Sequence, residues 1–102
     1  MADRLILHEE LCRLLGSRHV YFQPPETVRM SYPAIVYRRY AIDNVHADNI
    51  PYLQYDGYEI TVIDKDPDSE VVRAVSKLPS CRFNRHFTND NLNHDVFVIY
   101  IV

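Results

Sequence analysis

The chain has only two glycines and two cysteines, and nowhere do its apolar residues run long enough to span a bilayer, which takes about 20 in succession. These shortages exclude several classes at once. Cys12 and Cys81 stand alone in different segments, so no secreted disulfide framework and no cysteine zinc motif can be built from them. They read as reduced core residues of a protein that folds in a cytosol. Without a glycine-rich stretch there is no phosphate-cradling loop, no oxyanion loop and no nucleophile elbow. The first residues lack a cationic stretch followed by an apolar one, because His8, Glu9 and Glu10 interrupt the only short apolar run; no targeting segment is expected. The eleven Lys and Arg residues are scattered and the formal net charge is −3, so no concentrated basic footprint for nucleic acid is present.

What the chain does have is tyrosine. Eight tyrosines in 102 residues supply large rings with polar tips, suited to surfaces that are wet before assembly and covered after it. The plain alternative is that aromatic residues simply favour strands. A hydrophobic content of 47% with 25% charged residues belongs to an ordinary soluble domain, and the length allows one domain, residues 1–102, with a modest core.

Leu7, Leu11, Leu14 and Leu15 recur at helical spacing between Asp3 and Gly16, which predicts an amphipathic helix over 3–15. Val20 to Gln23 reads as a short strand stopped by Pro24 and Pro25. Residues 34–40 form the next strand, with Arg38 and Arg39 at its charged end. From Ala41 to Pro51 the Asp and Asn residues suit turns and no period persists, so a loop of about ten residues is expected, placed to meet a partner. Residues 52–63 read as one strand with a bulge at Gly57, its second half pairing with 34–40. Asp66 and Pro67 look like the cap and first residue of a helix over 67–78, which Val71, Val72, Val75 and Leu78 line on one face. A regular strand from Cys81 would put Cys81, Phe83, Arg85 and Phe87 on one side. A turn at 89–93 then leads into a last strand that is apolar on both faces and carries regular structure to Val102.

The order is α-β-β-β-α-β-β. The fold class is therefore α+β: a single small domain with a mostly antiparallel, mixed-order sheet and two helices packed on one face. No repeat, coiled coil or low-complexity linker divides it.

No combination of reactive side chains meets the spacing that a chemical site requires. The histidines, His8, His19, His46, His86 and His94, share no ligand spacing, and His46 with Asp48 would need His86 or His94 brought beside them to hold a metal. Ser80 or Cys81 with His86 or His94 lacks the surroundings of an acyl-transfer nucleophile. Asp64, Asp66 and Asp68 are interrupted by Pro67 and lack the glycine and distal glutamate of a calcium loop. No catalytic residue, cofactor or metal site is expected.

The segments Pro24-Pro-Glu-Thr-Val-Arg-Met-Ser-Tyr-Pro-Ala-Ile-Val-Tyr37, Ala47-Asp-Asn49, Tyr58-Glu-Ile-Thr-Val-Ile-Asp64 and Asn91-Leu-Asn-His-Asp-Val-Phe97 resemble those of small tail-terminator or neck proteins of long-tailed phages and prophages of Gram-positive bacteria. The resemblance spans nearly the whole chain in arrangement and strand phrases, without a catalytic signature. It implies a structural virion protein, assembled in the host cytoplasm, that forms a hexameric ring on the head-proximal end of the tail tube. Such a ring stops tube polymerisation and joins the tail to the head connector. Its partners would be copies of itself, the tail-tube protein and a connector or stopper protein, with no membrane and no sequence-specific nucleic acid. A head-completion or stopper role, and a generic protein-binding adaptor, are the alternatives. Interface residues are expected at Arg38, Arg39, His46, Asp48, Asn49, Tyr52 and Tyr55, where loop and strand ends offer charge and planar contacts.

Overall fold

A computed structural model describes residues 4–25, 29–47 and 50–101, with the backbone course alone for 43–47 and 50–54. Helix α1 (Arg4–Leu15) leads into β1 (Val20–Phe22), β2 (Ala34–Ala47) and β3 (Ile50–Asp64), followed by α2 (Glu70–Ser76), β4 (Cys81–Asn89) and β5 (Leu92–Ile101). The strands form one five-stranded sheet in the order β1-β2-β3-β5-β4. Among the described strands β1 and β2 pair in parallel and the other three pairs are antiparallel. The element order and fold class read from the sequence hold.

Period-2 alternation decides which face each residue takes. Ile35, Tyr37, Tyr58, Ile60, Val62, Phe97 and Ile99 point to the helices, where they meet Leu7, Leu11 and Cys12 of α1 and Val75 of α2 in one core. Tyr37 is fully buried, and its hydroxyl lies 2.7 Å from His8 Nδ1 and accepts from Arg4 at 3.3 Å. Burial raises the Tyr37 pKa, against the opposing pull of Arg4. Leu11 and Val75 are fully buried as well, so these helix residues serve the core, as their spacing suggests.

Four local expectations give way. The ten-residue loop from Ala41 to Pro51 is instead continuous ladder: β2 pairs with β3 out to Ala47 opposite Ile50, with Asp43 opposite Tyr55 and Asn44 opposite Gln54. Cross-strand pairing outweighs the turn preference of Asp and Asn here. The bulge expected at Gly57 sits on the partner strand, at Tyr40, where the register shifts between Arg39 and Ala41. Gly57 has a different reason to be glycine, since a Cβ there would lie 2.9 Å from Cε1 of Tyr100.

The helix over 67–78 shrinks to Glu70–Ser76, and Asp66 does not cap it. Asp66 Oδ1 accepts from the Asp68 N–H at 2.9 Å and Asp64 Oδ1 from the Asp66 N–H at 3.1 Å, successive turns that use the carboxylates before the helix begins. Finally, β4 is not regular. Phe83 pairs with Phe97 but Arg85 pairs with Val96, so Asn84 is an extra residue that reverses the alternation. Cys81 and Phe83 stay on the helix side, whereas Arg85 and Phe87 go to the other. The turn at 89–93 forms as expected, with Asp90 at φ 52 and Asn91 at φ 62, the left-handed pair that a two-residue hairpin turn demands.

Candidate assembly surface

Beyond the body of the sheet, β2 and β3 continue as a two-stranded arm. The ladder of β1 ends with Phe22 opposite Tyr37, and that of β5 ends with Ile101 opposite Asp56. From Asp43 to Ala47 the hairpin therefore carries no third strand among the described residues, a length of about 16 Å at the usual rise per residue. The molecule measures 51 × 26 × 23 Å, and its radius of gyration of 14.6 Å exceeds the roughly 13 Å of a compact chain of this size. An isolated two-stranded ribbon is marginal in water. The outer backbone edges of the arm are consequently open to pairing with another chain.

The candidate residues distribute along this arm and its base. Arg38 and Arg39 are exposed at the base and lie on opposite faces by register, Arg38 opposite Glu59 and Arg39 opposite Tyr58. Arg38 Nε donates to Glu59 Oε1 at 3.1 Å, and the Glu59 side chain is only 9% exposed. Arg38 thus has an internal task that the sequence did not disclose: it compensates a nearly buried carboxylate. The Arg39 backbone N–H donates to the Gln23 side chain at 3.1 Å, and Arg39 itself is exposed. Tyr55 is half-buried opposite Asp43. His46 and Tyr52 stand on the arm, opposite strands of one ladder, with their backbones described. Asp48 and Asn49 lie outside the described residues.

Exposed apolar residues join them at the base, and Tyr40 among them escaped sequence reasoning. Tyr40 is 52% exposed and Ile42 49%. Tyr40 is the bulge residue, and a bulge re-aims a side chain in a way that alternation alone cannot foresee. On α1, Leu5 is likewise exposed, beside Glu9, Glu10 and Arg13. Glu10 is hydrogen-bonded to Arg13, which lowers its pKa.

The titratable groups weighed as reactive are engaged elsewhere or discouraged from reacting. Burial pushes the Cys81 thiol up to about 11, so little thiolate forms near neutrality. His86 Nδ1 lies 2.9 Å from Asp95 Oδ1, and His94 stacks on Phe87 with ring centroids 4.5 Å apart. Among the described residues, no group of three or more His, Cys, Asp or Glu is gathered closely enough to hold a metal. No helix among them is long and apolar enough to cross a membrane. Comparison with protein-family models, with curated proteins and with solved structures returned no match.

Proposed function

We propose that this chain is a non-enzymatic virion component that forms a ring at the head-proximal end of a phage tail tube, ending tube polymerisation and joining tail to head connector. The observation that carries the reading is the arm of β2 and β3, a ribbon that has no third strand among the described residues and whose edges invite a neighbouring chain. It is joined by the resemblance of the strand phrases to tail-terminator and neck proteins and by the exposed Tyr40, Ile42, Arg38 and Arg39 at its base. Tyr and Arg are the residues that most often anchor protein interfaces. In this role His46, Asp48, Asn49, Tyr52 and Tyr55 extend the contact along the arm, toward a neighbouring copy or the tube.

The test is assembly. Added to polymerising tail-tube protein from the same virion, the folded chain should bind tube ends and narrow the distribution of tube lengths. Separate Arg39→Ala and Tyr55→Ala variants should keep their fold and lose capping. Binding to a head connector without any capping of tubes would support the stopper role instead. Neither binding would contradict both.

A further inference from the structure

The sheet face turned away from the helices is organised in cross-strand rows, read directly from the register. One row runs Arg38, Glu59, Val98, Arg82 across β2, β3, β5 and β4; the next runs Val36, Thr61, Val96, Arg85; the third runs Ala34, Ile63, His94, Phe87. Arg38 is paired with Glu59, but Arg82 and Arg85 are exposed and have no carboxylate partner among the described residues. Arg85 lies 5.8 Å from the Phe87 ring centroid; between the charges Val36, Thr61, Val98 and Tyr100 are half-buried, while Ala34, Ile63 and Val96 are already buried. This is a basic, aromatic and partly apolar face on a chain whose net charge is −3.

The compensating excess of negative charge sits on the connection from β3 into α2. Asp66, Asp68 and Glu70 are exposed there, and none of them has an ion-pair partner among the described residues. The Asn93 side-chain amide donates to the carbonyls of Asp64 and Lys65 at 3.3 Å, which ties the connection to β5. The connection lies on the helix side, where Asp68 borders a cleft with Val72, Arg73 and Phe83. The two charge sets therefore occupy opposite sides of one chain and cannot neutralise each other within it.

We infer that the face bearing Arg82 and Arg85 docks the acidic Asp66–Glu70 segment of a second copy of this chain. The contact is head-to-tail, using different patches on each copy, and repetition of such a contact closes into a ring or runs on as a filament. Exposed ion pairs are weak in a monomer, but Arg beside aromatic and apolar surface is a common anchor once water is excluded. A single strand of nucleic acid suits the same face less well, because the chain offers two uncompensated arginines there and an acidic segment on its other side. This inference deepens the ring reading above and shares its self-association, yet it is measured on the isolated chain without any tube.

Two variants test it: Arg82→Glu with Arg85→Glu, and Asp68→Lys with Glu70→Lys, residues whose side chains make no internal hydrogen bond or ion pair among the described contacts. Each is first shown to melt like the parent. By sedimentation at low salt the parent should self-associate, and about 1 M salt, where the Debye length is about 3 Å, should weaken that association about tenfold or more. Each variant alone should be monomeric, and an equimolar mixture of the two should assemble, because each reversed patch then meets its complement. A parent that stays monomeric at its highest soluble concentration, variants that assemble alone, or a mixture that does not assemble would each overturn the inference. So would a parent that stays monomeric while binding a single-stranded DNA oligonucleotide through Arg82 and Arg85. Intact self-association with failed tube capping would instead defeat only the proposed function.

Discussion

The ring of Tyr100 lies over Gly57, with Cε1 2.9 Å from the place a Cβ would occupy and the two residues directly paired across β3 and β5. Cross-strand aromatic cover of a glycine keeps a sheet filled where the glycine has no side chain of its own. Replacing Gly57 with Val forces the ring away and should destabilise the domain by about 1–3 kcal/mol. Adding Tyr100→Ala should recover part of that loss, as chemical denaturation of the single and double variants will show. Purely additive losses would mean that the ring does not constrain position 57.

Arg38 and Glu59 form a second coupled pair, and it complicates any alanine scan of the surface. Because the Glu59 carboxylate is nearly buried while Arg38 is 62% exposed, Arg38→Ala should cost about 1–2 kcal/mol, less than loss of a fully buried ion pair. The Arg38→Ala effect should be smaller in a Glu59→Gln background. A double-mutant cycle by urea unfolding measures the coupling, and an equal cost in both backgrounds would deny it.

Ser69 stands at the cap position of α2 without making a side-chain cap hydrogen bond, and its buried Oγ has no partner among the described residues. Loss of a working serine cap typically costs about 1 kcal/mol. Here Ser69→Ala should be neutral or stabilising, because it removes an unsatisfied buried hydroxyl. Thermal unfolding followed by circular dichroism decides the matter.

Alkaline pH should weaken the fold through Cys81. Burial pushes its folded pKa up to about 11, above the ordinary thiol value of 9.0, so the folded state holds the thiol proton more tightly than the unfolded state does. That contribution is fully present below about pH 9 and is lost as pH rises toward 11. Burial shifts Tyr37 in the same direction. Cys81→Ala should therefore flatten part of the stability decline over that window, and Cys81 should alkylate more slowly at pH 8 in the folded chain than in urea.

Much of the fold was legible because the relevant signals are local and repeated. Leu7 and Leu11 on α1, the alternation from Tyr58 to Ile63, and the turn at Asp90 and Asn91 each mark their own element. The errors fall where a partner strand overrules local preference. Asp43 and Asn44 look like turn residues but are carried into a ladder by Tyr55 and Gln54, and the extra residues at Tyr40 and Asn84 reverse which side chains share a face. For the same reason the form of the segment expected to meet a partner was mistaken: the expected loop is an arm of paired strands. The sequence also could not show that Arg38 already has a carboxylate to hold.

The most direct test of the proposed role is a chain with its arm removed. Joining Ile42 to Asp56 through a two-residue Asn-Gly turn keeps a paired position at the closure and leaves the ladders of β1, β4 and β5 intact. Tube lengths are then measured by electron microscopy after polymerisation with no added chain, with the full chain or with the shortened one. Short, uniform tubes are expected with the full chain, and tubes as long as the untreated control with a shortened chain that remains folded. Equal capping by both chains, or no capping by the full chain, would contradict the proposed role.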